Sequence, residues 1–203
     1  MIILIGESGS GKTTILNELE KRGYKKAINH TTRAKRPGEE NNAEYVFTTK
    51  DEFNTMWDEG KLLQRAEFNN EYYGISSDSI RDDVACIQIV DSIADVKERA
   101  KELGLGDKKI VTFYISVPAE ERTKRMLLRG DSLDSIQKRL EIDNEKFKNV
   151  KEVVDFTVEN DILEDAVNEI IRLDKETNEE KWGKGDGFFA SHKFNCKKSC
   201  NYY

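Results

Sequence analysis

Apolar residues fall along this chain in short runs that alternate with stretches of helical spacing. Met1 to Ile5 is an unbroken apolar run, the pattern of a strand buried on both faces. A glycine-rich stretch from Gly6 to Gly11 closes it, and Ile15, Leu16 and Leu19 then recur at helical spacing within Lys12–Arg22. Further strands are expected at Tyr45–Thr48, Leu62–Phe68, Ala85–Val90, Ile110–Val117 and Val153–Val158. Helices are expected at Lys50–Glu59, Ile93–Leu103, Ala119–Arg129, Leu133–Val150 and Leu163–Leu173. Thr49 with Glu52 three residues later predicts a capping box at the first of these. Strands alternating with helices imply an α/β layered fold around a largely parallel sheet.

Two regions break the rhythm. Residues 29–74 hold several short strand-like pieces and one helix, dense in Arg, Tyr, Asn and Glu, and read as an inserted subdomain. After Leu173 the periodicity stops. Residues 174–203 pass from a charged run through Gly183–Gly187 into an aromatic, Lys-rich end, and read as a flexible tail.

Composition narrows the function. The 203 residues carry a net charge of −6, and 35% of them are charged. That length suits one domain with a small insertion or two. The pI of 5.2 argues against nucleic-acid or anionic-membrane binding, since polyanions need a surplus of Lys and Arg. No apolar run approaches the roughly 20 residues that span a bilayer, and Met1–Ile5 has neither the basic region nor the cleavage site of a signal peptide. Three cysteines, one at Cys86 and two near the far end, make no secreted disulfide framework. A cytoplasmic chain is expected.

Gly6-Glu7-Ser8-Gly9-Ser10-Gly11-Lys12-Thr13 fits the pattern G-x-x-x-x-G-K-[ST], directly after a strand and before a helix. Glycines let backbone N–H groups turn inward around phosphate oxygens, beside the positive end of a helix dipole. Lys12 is expected to reach the terminal phosphates, and the Thr13 hydroxyl to hold Mg²⁺. A nucleoside triphosphate is the implied ligand.

The insertion points to the acceptor. Thr31-Thr32-Arg33-Ala34-Lys35-Arg36-Pro37-Gly38-Glu39 sets two arginines three apart before a Pro-Gly turn, and Tyr45 and Tyr72-Tyr73-Gly74 follow. Arginine forks suit a phosphate dianion, and tyrosine hydroxyls can donate to its remaining oxygens. Together with Gly6–Thr13 and a later arginine segment, these motifs resemble the guanylate kinase family from Met1 to about Leu173. The resemblance implies a P-loop kinase fold of three layers with a mostly parallel central sheet. Its core would be residues 1–28 and 75–173, with a nucleotide-monophosphate-binding insertion at 29–74 and a helical lid at about 129–146.

In that family ATP is the donor with Mg²⁺ as cofactor, GMP is the acceptor, and a lid closes over both. The resemblance implies that Arg33, Arg36, Tyr45 and Tyr73 grip the acceptor phosphate. It gives Gly6 to Gly11, Lys12, Thr13 and Thr14 to ATP. Arg125-Met126-Leu127-Leu128-Arg129-Gly130, followed by Ile136-Gln137-Lys138-Arg139-Leu140, is similar to the family's lid, although the intervening loop is about one residue short. This implies ATP contact for Arg125 and a catalytic part for Arg129 and Arg139 beside Lys12 and Arg33. Ordinary pairing of these arginines with Glu121, Asp131 or Glu141 is the plainer alternative. Asn160 resembles the adenine-proximal segment. His30 is expected to pack rather than to act as a base, because the acceptor oxygen is already anionic.

The base pocket departs from the family. Gln64 stands where a glutamate is usual, Ile75 where Ser or Thr is usual, and Asn29 where a serine is usual. A carboxylate accepts from both guanine N1–H and its 2-amino group, whereas a glutamine amide offers one acceptor oxygen. Asn29, Gln64 and Asp91 are the implied base-side residues; for Asp91 the alternatives are holding a magnesium-bound water or capping the following helix.

Three functions therefore stand side by side: phosphorylation of GMP or dGMP, the same fold with another acceptor such as a modified nucleotide or ribose bisphosphate, and a non-catalytic guanylate-kinase-like module. The intact Gly11-Lys12-Thr13 favours catalysis. ATP and a nucleoside monophosphate are the expected partners, in a monomer or homodimer. His192, Cys196 and Cys200 recur at helical spacing, but a fourth metal ligand is missing, and the segment reads as tail.

Overall fold

The apolar run at the amino end forms the central strand of the main sheet, which is why it has no polar face. The computed structural model describes residues 1–35, 45–68, 70–105 and 110–182, with the backbone alone at 68 and 180–182. The first half comprises β1 (Ile2–Ile5), α1 (Lys12–Lys21), β2 (Lys25–Lys26), β3 (Asn29–Thr31), β4 (Val46–Phe47), α2 (Lys50–Asp58), β5 (Ala66–Phe68) and β6 (Glu71–Ile75). Then come β7 (Val84–Ile87), α3 (Ile93–Glu102), β8 (Val111–Ser116), α4 (Ala119–Leu128), α5 (Leu133–Lys146), α6 (Val150–Val153), β9 (Phe156–Glu159) and α7 (Leu163–Trp182).

Among the described residues, five strands form a parallel sheet in the order β2-β7-β1-β8-β9. The side chains of β1 divide between two cores. Ile3 and Ile5 pack with Ile93, Val96 and Ala100 of α3, while Ile2 and Leu4 pack with Ile15 and Leu19 of α1 and Val167 and Ile170 of α7. Helices thus cover both faces of a parallel sheet, as the continuous apolar strand requires. A second sheet, β4-β3-β6-β5, carries antiparallel β3–β6 and β5–β6 pairs and stands apart from the first in strand pairing. It is the region that broke the α/β rhythm.

The Thr49–Glu52 capping box is present: Glu52 N–H donates to the Thr49 hydroxyl, and Thr49 N–H to the Glu52 carboxylate. Three elements differ from expectation. The strand expected at Leu62–Phe68 begins only at Ala66, because Leu62 and Leu63 are wholly buried as core plugs. The helix expected at Leu133–Val150 stops at Lys146, and Val153 belongs to the short α6 rather than to β9. The last helix runs nine residues past its expected end at Leu173, to Trp182. Arg172 bridges Glu169 and Glu176 along its surface, and buried Asp174 accepts a hydrogen bond from Tyr24 Oη at 2.9 Å. The charged run that signalled a tail therefore continues the helix, with Asp174 buried and Glu176 exposed, because i,i+3 and i,i+4 pairs support helix as well as apolar spacing does. Among the described residues, no helix is long and apolar enough to cross a membrane.

Candidate active site

The central strand ends at Ile5, and the chain turns through Gly6–Gly11 at the carboxyl edge of the sheet before entering α1. This edge is where parallel α/β sheets leave a crevice. Gly9 has φ +80°, and a Cβ there would sit 2.8 Å from the Arg122 carbonyl oxygen, so α4 lies flush against the turn. Asn160, buried at the end of β9, donates its Nδ2 to Ser10 O at 2.8 Å. Arg125 in turn donates its Nη2 to Asn160 O at 2.9 Å and its Nε to Glu121 at 3.2 Å. Both residues thus brace the turn. α1 begins with no side-chain cap and no acidic residue in its first turn, which leaves its positive end open to an anion.

Lys12 Nζ donates to Gly6 O at 2.6 Å and Glu7 O at 2.9 Å, holding the ammonium against the turn. Burial brings its pKa down to about 8, the carboxylates of Asp143 and Glu7 opposing the shift and the Arg122 and Arg129 guanidiniums adding to it. Asp143, from α5, accepts the Ser8 N–H at 2.7 Å. Arg122, from α4, lies 3.8 Å from both Glu7 and Asp143 and donates its Nε to Val117 O. Tyr114 Oη donates to Glu7 Oε1 at 2.8 Å, and burial together with that carboxylate pushes the phenol pKa well up.

The far end is made by the second sheet. β3 and β6 pair Asn29 with Ile75 and Thr31 with Tyr73. Tyr45 meets Tyr73 edge to face at 6.1 Å, and the Arg33 guanidinium lies 5.3 Å from the Tyr45 ring centre and 5.1 Å from that of Phe47. Gln64 is buried, and its main-chain carbonyl packs so closely on Gly74 that a Cβ there would be 2.4 Å away. His30, in β3, is buried with no hydrogen bond to Nδ1, and burial lowers its pKa. This fits the expected packing role.

One cleft of about 690 Å³ joins the two ends. Ser8 and Lys12 line it from the turn, and Asn29, Tyr45, Gln64 and Tyr73 from the second sheet. The structure does not bring every expected residue into it. Thr13 instead lines a second cleft of about 730 Å³, which shares Asn29 and Tyr45, and Thr14 is exposed. Arg129 is ion-paired with Asp131, and exposed Arg139 also acts on that aspartate. The plainer reading of surface pairing thus describes Arg129 in this conformation. Asp91 lies in a 3₁₀ turn and pairs with Lys146 at 3.1 Å. It does not cap α3, whose cap position is Ser92. Arg36, His192, Cys196 and Cys200 lie outside the described residues.

Sequence reading missed Arg122, Asp143 and Tyr114. One signal was available for Asp143: it lies seven residues after Ile136, hence on the same helical face, and both are buried.

A family model described as guanylate kinase matches residues 1–176. The chain belongs to the guanylate kinase family. It is 32% identical over 182 residues to the guanylate kinase of Wolbachia sp. subsp. Brugia malayi, covering 87% of this chain and 92% of that one. It is also 32% identical over 173 residues to that of Dechloromonas aromatica, covering 84% and 85%. Among solved structures, guanylate kinase from Anaplasma phagocytophilum superposes with a TM-score of 0.58 at 20% identity, over 87% of this chain and 85% of that one. At that identity the likeness speaks to the fold alone. For this member of the family, the phosphate turn follows the expected pattern in full, and the departures gather at Asn29, Gln64 and Ile75.

Proposed function

We propose that this chain transfers the γ-phosphoryl group of ATP to GMP or dGMP, yielding ADP and the nucleoside diphosphate. The observation that carries the reading is the single cleft with Lys12 and the phosphate turn at one end and Asn29, Tyr45, Gln64 and Tyr73 at the other. Relatives named guanylate kinase, which cover most of the chain, support the acceptor class.

The turn's backbone N–H groups and Lys12 hold the donor phosphates. Arg33, with Arg36 and the Tyr45 and Tyr73 hydroxyls, holds the acceptor phosphate, and Asn29, Gln64 and Asp91 read the base. An acceptor phosphate oxygen, already anionic, forms the new bond to the γ-phosphorus as the bond to the β–γ bridging oxygen breaks, its electron pair leaving with ADP. Alignment and charge neutralisation do the catalysis, and no general base is needed. Arg129 and Arg139 add their charge once Arg129 releases Asp131.

Thr13 fits Mg²⁺: the residue is exposed on the first turn of α1 and offers a hydroxyl oxygen, and this ion takes one or two protein oxygens together with phosphate oxygens and water. Bound there, Mg²⁺ would neutralise charge on the transferring group. A cytoplasmic monomer or homodimer accords with this role.

Coupled ADP release measured with GMP, dGMP, AMP, IMP and ribose 1,5-bisphosphate tests the reading. GMP and dGMP should be the best acceptors. The neutral amides of Asn29 and Gln64 make AMP and IMP the informative competitors. Preference for any other acceptor, or no transfer to any of them, overturns it.

A further inference from the structure

Three charged side chains at the phosphate turn are almost wholly buried: Glu7 is 9% exposed, Arg122 3% and Asp143 9%. They come from the turn, α4 and α5, so no local helix pairing accounts for them. Asp143 Oδ2 accepts the Ser8 N–H at 2.7 Å, and that N–H belongs to the turn whose amides are built to hold phosphate oxygens. Asp143 also lines the same cleft as Ser8 and Lys12. Arg122 Nη1 stands 3.8 Å from Asp143 and, like Glu7 Oε2, is buried without a hydrogen bond. These groups are not in their best geometry.

We propose that Asp143 occupies the phosphate turn in the manner of a phosphate oxygen, and that the triphosphate of ATP must displace it to bind. The inference rests on the reading that Gly6–Thr13 takes ATP. A carboxylate and a phosphate oxygen cannot share the Ser8 N–H, and two anions so close repel strongly where water is scarce. The charge balance agrees. Among the described residues, the charges around the turn are buried Arg122 and half-buried Lys12 against buried Glu7 and Asp143, two of each sign. Removing Asp143 leaves an excess of positive charge that a triphosphate supplies an anion to match. Arg139 lies four residues before Asp143, one turn away along α5. Where Asp143 withdraws through a shift of α5, Arg139 moves with it.

The test is the dissociation constant for Mg·ATP, with GMP as control, measured calorimetrically at pH 7 on the full chain, together with the melting temperature. Asp143→Ala should bind ATP about ten- to a hundred-fold more tightly, the range expected for losing a competing hydrogen bond to a charged group. Asp143→Asn should show a smaller gain, and GMP binding should not change. Tighter ATP binding should coexist with a lower melting temperature, because Arg122 loses a counter-ion. A merely structural Asp143 would lower both stability and affinity. Unchanged or weaker ATP binding in both variants overturns the proposal. Should Asp143→Ala fail to fold, the nearly isosteric Asp143→Asn carries the test by itself. If wild type and variants alike bind no ATP, the nucleotide reading of the turn falls and the proposal with it, whereas ATP binding that is merely not tightened overturns displacement alone.

Discussion

The two ends of the cleft are built on different physical terms. At the phosphate turn, function rests on the backbone: a helix start without a cap, glycine at positive φ, and a lysine fixed on two carbonyls of its own loop. At the proposed acceptor end it rests on side chains on and beside short strands, with Tyr45, Tyr73 and Arg33 held by aromatic contacts and the Gln64 main chain packed on Gly74. A backbone cradle binds what every phosphate shares, so it tolerates no change of shape yet says nothing about the base. A pocket of side chains can change its ligand one residue at a time. The departures from the family pattern at Asn29, Gln64 and Ile75 fall in the second kind of site.

Lys12→Ala gives the largest test of this contrast. Transfer should fall by about a hundred- to a thousand-fold or more, as when one preorganised charge contact is removed, with the melting temperature little changed. Near-normal turnover in a folded variant would mean that the turn is not the donor site. Gln64→Glu addresses the opposite end. A carboxylate offers two acceptors where the amide offers one, so kcat/KM for GMP should rise by about tenfold, within the range for one matched buried hydrogen bond. An equal gain for ATP, or none for GMP, would show that this position does not read the base.

The pH profile separates the two ends without mutation. Lys12, with a pKa near 8, must be protonated to meet phosphate, so kcat/KM for ATP should fall about tenfold for each pH unit above 8. The affinity for GMP should stay flat over the same interval. A flat ATP profile up to pH 10 would contradict the burial of Lys12.

The smallest effect concerns His30. Burial disfavours its imidazolium in the folded protein, so the unfolded chain takes the proton first. Stability should therefore fall as pH drops below about 6.5 and be indifferent to this group above it. His30→Gln should flatten that limb by a few degrees in melting temperature. An equally steep acid limb in the variant would assign it to other groups.

Much of the fold was legible because its signals are local. The buried strand at Met1–Ile5, the turn to Lys12 and the Thr49–Glu52 cap each lie within a few residues of sequence. The end of the last helix was not, since a charged run after Leu173 has no apolar period even though Arg172 and its glutamates continue the helix. The proposed acceptor residues were legible only through resemblance to a family, because Tyr45 and Tyr73 taken singly look like packing tyrosines.

The sequence by itself determined the phosphate turn, since eight consecutive residues dictate a backbone shape and the strand and helix that flank it. Only the tertiary structure decided that Glu7, Arg122 and Asp143, separated by as many as 136 positions, meet beside that turn. The physical reason is range. Backbone conformation follows from neighbours in the chain, whereas a buried charge is set by partners that chain distance does not reveal until the sheet and its helices have packed.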